Sequence, residues 1–168
     1  MSGAAYIGLG TNLAFGGVEG PELLVQAVAA LRNAGLEVRA LSGIWKSPAW
    51  PPGSGQPDFH NAVAELDAGQ ATPQQLYASL RAVETSFGRV RRERWGPRTL
   101  DLDILDMGGC VGSFRGVELP HPRLHERAFV LAPLAEIAPA WRHPVSGEGI
   151  DALLAAAGGM VARVERPR

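Results

Sequence analysis

Thr99-Leu100-Asp101-Leu102-Asp103-Ile104-Leu105 alternates apolar and acidic side chains and reads as a β-strand. A period of two puts Leu100, Leu102 and Ile104 on one face and Asp101 and Asp103 on the other. Upstream, Arg89 to Arg98 is a polar loop carrying Arg89, Arg91, Arg92, Arg94 and Arg98. Before that loop, Thr72-Pro73 opens a helix with Thr72 as N-cap and Gln75 in the capping-box position, and Gly88 ends it. Leu76, Leu80, Val83 and Phe87 form its apolar face. Phe59 to Leu66 alternates as a strand, and Leu36 to Trp45 reads as its hairpin partner. Pro21 to Asn33 is an amphipathic helix with Leu23, Leu24, Ala27, Val28 and Leu31 on one side and a stop at Gly35. Ala4 to Leu9 is a buried first strand. The order β-α-β-β-α-β predicts an α+β fold with a ferredoxin-like core.

The remainder adds short elements: a small hairpin over Cys110 to Val117, helices over Phe129 to Ala138 and Ile150 to Ala157, and a closing strand over Met160 to Val164. Ser47 to Asp58 holds four prolines and two glycines in twelve residues and is a candidate substrate loop. The 168 residues show no repeat or long linker, so a single domain over residues 1–168 is expected. Net charge is −1, which gives no general pull toward nucleic acid or membrane. Lys46 is the only lysine, and five arginines crowd between Arg89 and Arg98, so positive charge is local. Cys110 is the only cysteine, which excludes an internal disulfide and a thiolate-rich zinc site. No signal-peptide pattern or membrane-length apolar run is seen, and a cytoplasmic protein is the expectation.

Carboxylates at i and i+2 of a strand stand roughly 7 Å apart and can converge on metal ions. Taken alone, Asp-x-Asp reads rather as the solvated face of an edge strand. The flanking apolar residues and the arginine loop favour a Mg²⁺–phosphate site, because Mg²⁺ takes few carboxylates and arginine forks suit phosphate. Trp95 either packs over a flat ring or lies in the core. His121, with Arg123, His125 and Arg127 after it, is either a second anion-binding cluster or a surface turn. Glu84, near the apolar boundary of its helix, reads as an ordinary surface residue or, less readily, as an acceptor of a hydrogen bond from a ligand. Asn61 sits between Phe59 and Val63 on an apolar strand face, where its amide suits an amide-like heterocycle edge or a loop backbone. No P-loop or dinucleotide fingerprint is present, and Gly8 and Gly10 read as close-packing or turn glycines.

These residues carry a resemblance. Arg94-Trp-Gly-Pro-Arg-Thr-Leu-Asp-Leu-Asp-Ile104 resembles the signature of the hydroxymethyldihydropterin pyrophosphokinase family. The likeness extends through Tyr6 to Leu13, Ser47-Pro48, Gln56 to Ala62, Glu84 with Gly88 to Arg91, Leu119 to Arg123 and Arg127 to Leu131. It implies a three-layer α/β/α sandwich on the ferredoxin-like core, and transfer of pyrophosphate from ATP to 6-hydroxymethyl-7,8-dihydropterin with release of AMP. Asp101 and Asp103 then look like ligands of two Mg²⁺ ions, with Arg91 and Arg92 as catalytic cations. Glu84, Arg89, Arg91, Trp95, Arg98, Ile104, His121 and Arg127 look like ATP contacts. Ser47, Pro48, Phe59, Asn61, Trp95 and Phe129 look like the pterin pocket. Ser47 and Phe59 stand where the family often has Thr and Tyr, and Arg81 where a Gln faces the nucleotide. ATP and the pterin are the expected partners of a monomer, with no nucleic acid and no membrane. Two rival readings, a nucleic-acid-binding module and a catalytically silent scaffold, leave the colocation of Asp101, Asp103, Arg98 and Trp95 unexplained.

Overall fold

The computed structural model describes residues 3–89 and 97–164. Strand β1 (Ala4–Thr11) leads to α1 (Gly20–Asn33), β2 (Glu37–Leu41), β3 (Trp45–Ser47) and β4 (Phe59–Asp67). After these come α2 (Pro73–Ser86) and β5 (Asp101–Met107), then the hairpin β6 (Gly112–Phe114) and β7 (Val117–Leu119). The chain finishes with α3 (Ala128–Ile137), α4 (Ile150–Ala156) and β8 (Ala162–Arg163). The main sheet runs β5-β1-β4-β3-β8, with β2 also paired to β4, and all its pairs are antiparallel. This is the order expected of a ferredoxin-like core.

Local chemistry sets the element ends. Pro21 opens α1, and Gly35, at φ 84°, closes it while the Leu36 N–H reaches Leu31 O at 3.1 Å, a Schellman closure. The capping box at α2 forms as expected: Gln75 N–H donates to Thr72 Oγ1 at 3.2 Å and Thr72 N–H to Gln75 Oε1 at 2.9 Å. Leu23, Leu24, Ala27, Val28 and Leu31 of α1 join Leu76, Leu80 and Val83 of α2 on one face of the sheet, over Ile7, Leu9, Leu100 and Leu102. Leu131 and Leu134 of α3 and Ile150 and Leu153 of α4 cover the other face, over Val63 and Leu105. Helices on both faces make the three layers.

Two expectations needed correction. The strand over Leu36 to Trp45 is two strands. Buried Ser42 interrupts it, because its hydroxyl accepts the Val63 N–H at 2.9 Å in place of a backbone carbonyl. The expected hairpin at Cys110 to Val117 ends instead at Leu119, turning on Arg115 and Gly116 with φ of 50° and 90°. Among the described residues no helix is long and apolar enough to cross a membrane.

Candidate active site

Asp101 pairs with Gly10 and Asp103 with Gly8 across β5 and β1. On its other edge β1 sets Gly10 against Asn61 and Gly8 against Val63 of β4. Two rows therefore cross the sheet, Asp101-Gly10-Asn61 and Asp103-Gly8-Val63, and the middle of each has no side chain. A Cβ on Gly10 would come 3.2 Å from Asn61 Oδ1, and one on Gly8 3.4 Å from Leu105 Cδ2. Both glycines are mid-strand, so neither makes a turn. They form the floor of a pocket of about 590 Å³ on the α3 side of the sheet.

One end of the pocket is charged. Asp101, Asp103, Arg98, His121, Arg123 and Arg127 line it. Arg98 Nη1 donates to Asp101 Oδ2 at 2.8 Å, and Arg89 Nη1 lies 3.3 Å from Asp101 Oδ1. Among the described residues, the buried Arg89 Nε has no hydrogen-bond partner. Burial, and then the Asp101 carboxylate, push the Asp103 carboxyl up from 3.8 to about 7, against the pull of Arg127. Burial, and then Arg127, hold the His121 imidazole down at about 4, so it is neutral at pH 7. Its Nδ1 accepts the Arg123 N–H at 3.2 Å, which leaves the ring proton on Nε2.

The other end is mostly apolar. Pro48, Trp50, Phe59 and Phe129 line it with Ser47 and Asn61. Asn61 Nδ2 donates to Ser47 Oγ at 2.9 Å, and both residues are buried. That bond orients the amide with Oδ1 over Gly10. Phe129 opens α3, beneath the Arg127 guanidinium, 5.5 Å from its ring centroid.

Of the residues expected at the site, ten line this one pocket: Asp101, Asp103, Arg98, His121, Arg127, Ser47, Pro48, Phe59, Asn61 and Phe129. Arg89 reaches it through Asp101. Ile104 points into the opposite core with Leu100 and Leu102. Glu84 is not on the surface: at 1% exposure it accepts the Leu102 N–H at 2.8 Å and pairs with Arg81, fastening α2 to β5. Arg91, Arg92 and Trp95 lie outside the described residues.

Sequence reasoning missed two contributors, Trp50 and Asn12, and one structural acid, Asp106. Trp50 lines the pocket while 62% exposed; its place in a Pro-rich loop was the available signal. Asn12 accepts the Arg98 N–H at 2.8 Å and donates to Pro57 O at 3.1 Å, so one buried amide ties together the two segments flanking the pocket. Asp106 joins the pocket face of β5 because the pairing of β1 and β5 shifts between Tyr6 and Ile7. It accepts from Trp141 Nε1 at 2.9 Å and from the Gly109 N–H at 3.1 Å.

The family model described as 7,8-dihydro-6-hydroxymethylpterin-pyrophosphokinase (HPPK) matches residues 6–139. A Pseudomonas aeruginosa protein named 2-amino-4-hydroxy-6-hydroxymethyldihydropteridine pyrophosphokinase is 43% identical over 152 residues, 90% of each chain. A Synechocystis protein of the same name is 42% identical over 153 residues, 89% of this chain and 74% of its own. Among solved structures, a Plasmodium falciparum HPPK-DHPS chain crystallised with pteroate superposes with a TM-score of 0.69 at 11% identity, covering 92% of this chain. This chain spans less than half of that one, 42% of its length, and the likeness concerns the fold alone.

Proposed function

We infer the roles of the site residues from one premise: the chain belongs to the 7,8-dihydro-6-hydroxymethylpterin-pyrophosphokinase family. Its reaction is pyrophosphoryl transfer from ATP to 6-hydroxymethyl-7,8-dihydropterin, giving AMP and the pterin diphosphate in folate biosynthesis. In our reading the pocket takes both substrates at once, phosphates at the charged end and pterin at the apolar end. What carries this reading is the pair of rows across the sheet, with carboxylates at one end, Asn61 at the other and bare glycine between.

We read Asp101 and Asp103 as the ligands of two Mg²⁺ ions. The donor set fits. Among the described residues no group of three or more His, Cys, Asp or Glu side chains is gathered for a metal, and Mg²⁺ characteristically takes one or two carboxylates and completes its shell with water and phosphate. The raised Asp103 carboxyl agrees, since a bound cation offsets the burial and the Asp101 repulsion that raise it. Mg²⁺ held there would neutralise phosphate charge and lower the pKa of the attacking hydroxyl.

The chain's own groups do the rest in this reading. Arg89, Arg98 and Arg127, with Arg91 and Arg92, neutralise the triphosphate as charge moves onto AMP. Neutral His121 donates from Nε2 to a phosphate oxygen without adding charge. Glu84 and Ile104 act from beneath β5, Glu84 by holding the strand and Ile104 by its main chain. Phe59 and Phe129 enclose the pterin ring, Asn61 and Ser47 bind its amide edge, and Pro48 and Trp95 close the pocket around it. No protein base is required, because positioning and electrostatics supply the rate. We further read residues 1–168 as one pyrophosphokinase domain, working as a cytoplasmic monomer without nucleic-acid or membrane partners.

Phosphorus NMR of the chain with ATP, Mg²⁺ and hydroxymethyldihydropterin tests the reading. AMP plus a pterin diphosphate is expected, and omission of Mg²⁺ should stop its formation. Formation of ADP would mean single-phosphoryl transfer and would overturn it. A folded chain making no pterin product would point to a silent scaffold.

A further inference from the structure

The pocket has a wall that comes from beyond residue 139, where the family match ends. Gly158, Gly159, Met160 and Val161 line it alongside Ser47, Pro48 and Phe129. They form a strap between the end of α4 and strand β8. Its position follows from register. Arg163 pairs with Trp45 and Ala162 with Lys46, antiparallel. Beyond these two pairs the strand ends, and the direction of the register leads residues 160 and 161 toward Ser47 and Pro48, with which they line the pocket. The strap thus borders the apolar end of the pocket and lies away from the carboxylates. Gly159, at φ 110°, lets the chain turn there.

A short edge strand of two residues holds poorly by backbone bonds alone. Here a side-chain clasp secures it. The Glu136 carboxylate on α3 accepts from Arg163 Nε and Nη2, both at 3.3 Å, from the Gly43 N–H at 3.2 Å and from the Trp45 indole. Burial opposes ionisation of Glu136, but Arg163, Trp45 and Gly43 outweigh it and hold the carboxyl below its ordinary value. The Arg163 guanidinium lies flat against Gly43, where a Cβ would come 2.7 Å from Nη2. One carboxylate therefore joins α3, the strand bearing Ser47, and the strap.

The strap brings unspent apolar surface. Met160 is 77% exposed although it lines the pocket, and Trp50 on the rim is 62% exposed. Large apolar side chains facing an open pocket have no protein to bury against, and a flat heteroaromatic ligand would cover them. We propose that the strap over residues 158–161 is a wall of the pterin subsite, that Met160 contacts the bound ring, and that Arg163 is a positioning residue that holds the wall through Glu136. This rests on the pyrophosphokinase reading of the pocket.

Two substitutions release the clasp from opposite sides. Arg163→Ala removes the guanidinium. Gly43→Ala displaces the same guanidinium, a flexible end that can move without disturbing the core. Met160→Ala trims the wall with the clasp intact. Calorimetric titration with 6-hydroxymethylpterin and, separately, KM for each substrate are the readouts. All three variants should weaken pterin binding and raise the pterin KM about five- to tenfold, with the KM for ATP within about twofold. Arg163→Lys, which keeps the charge but loses the fork, should recover part of the loss. Wild-type pterin affinity in all three variants would overturn the proposal, as would a parallel loss of ATP and pterin affinity, which marks a merely structural strand. If the wild-type chain itself bound no pterin, the reading of the whole pocket would fall, and this proposal with it.

Discussion

Strand β5 carries acids on one face in two different situations. Asp106, past the bulge, is buried and its oxygens accept from the Trp141 indole and the Gly109 amide. Asp101 and Asp103, before the bulge, face a pocket, and their neighbours are arginine side chains and each other. The first carboxylate is satisfied by neutral donors fixed in the fold. In the second pair Asp101 is held by Arg98 and Arg89, and Asp103 is left with burial and then the repulsion of Asp101, a cost that a cation would relieve. Burial alone therefore does not mark a functional acid; what marks it is burial whose cost the fold leaves uncompensated. Glu84 belongs with Asp106, since its buried oxygens bind Leu102 N–H and Arg81.

Substitution should separate the two situations. The largest effect is expected for Asp101→Ala or Asp103→Ala, each lowering turnover by about 10³-fold or more while the melting temperature holds. Wild-type-like turnover in either variant would remove the metal assignment. Next in size, Phe129→Ala should raise the KM for the pterin about 10- to 100-fold and leave that for ATP nearly unchanged. An equal rise for both substrates would erase the division of the pocket into two ends. Asp106→Ala should do the reverse of the first pair. It strands the Trp141 N–H and costs about 1–3 kcal/mol of stability, with several degrees lost in thermal melting, but little of kcat/KM per folded molecule. A catalytic defect without destabilisation would place Asp106 with the site.

The smallest effect is in pH. The Asp103 carboxyl is raised from 3.8 to about 7, so the folded chain keeps a proton that the unfolded chain releases. The stability this contributes is full below the ordinary carboxylate range and is lost as pH rises toward about 7. Without divalent metal, wild type should lose melting temperature relative to Asp103→Asn across that interval, and Mg²⁺ should restore it. Parallel melting curves in chelator would contradict the raised carboxyl. His121 acts in the opposite direction, since its depressed pKa adds stability as pH rises from about 4. The comparison is therefore between two chains that both contain it.

Much of this was legible along the chain. The Thr72–Gln75 capping box, the Gly35 stop and the two-residue period of β5 involve neighbours within a few positions, so propensity and turn chemistry determine them. Asp101, Asp103 and Asn61 stood out because polar groups interrupted apolar strands. Glu84 did not, because its partner is a backbone N–H on another element. Gly8 and Gly10 gave no hint of a pocket floor, since that role exists only when β4 and β5 flank β1 in this register.

The sequence by itself determined the two long helices and the strands β1, β4 and β5, which face of each helix is apolar, and that two carboxylates share a strand face behind an arginine-rich loop. Those properties follow from side-chain periodicity and local capping. Only the tertiary structure decided that Asp101 lies across a bare glycine from Asn61, that the β1–β5 pairing shifts to bring Asp106 onto the pocket face, and that residues 158–161 come to rest beside Ser47. Strand register and bulges depend on hydrogen bonds and packing between segments far apart in the chain, which no local pattern encodes.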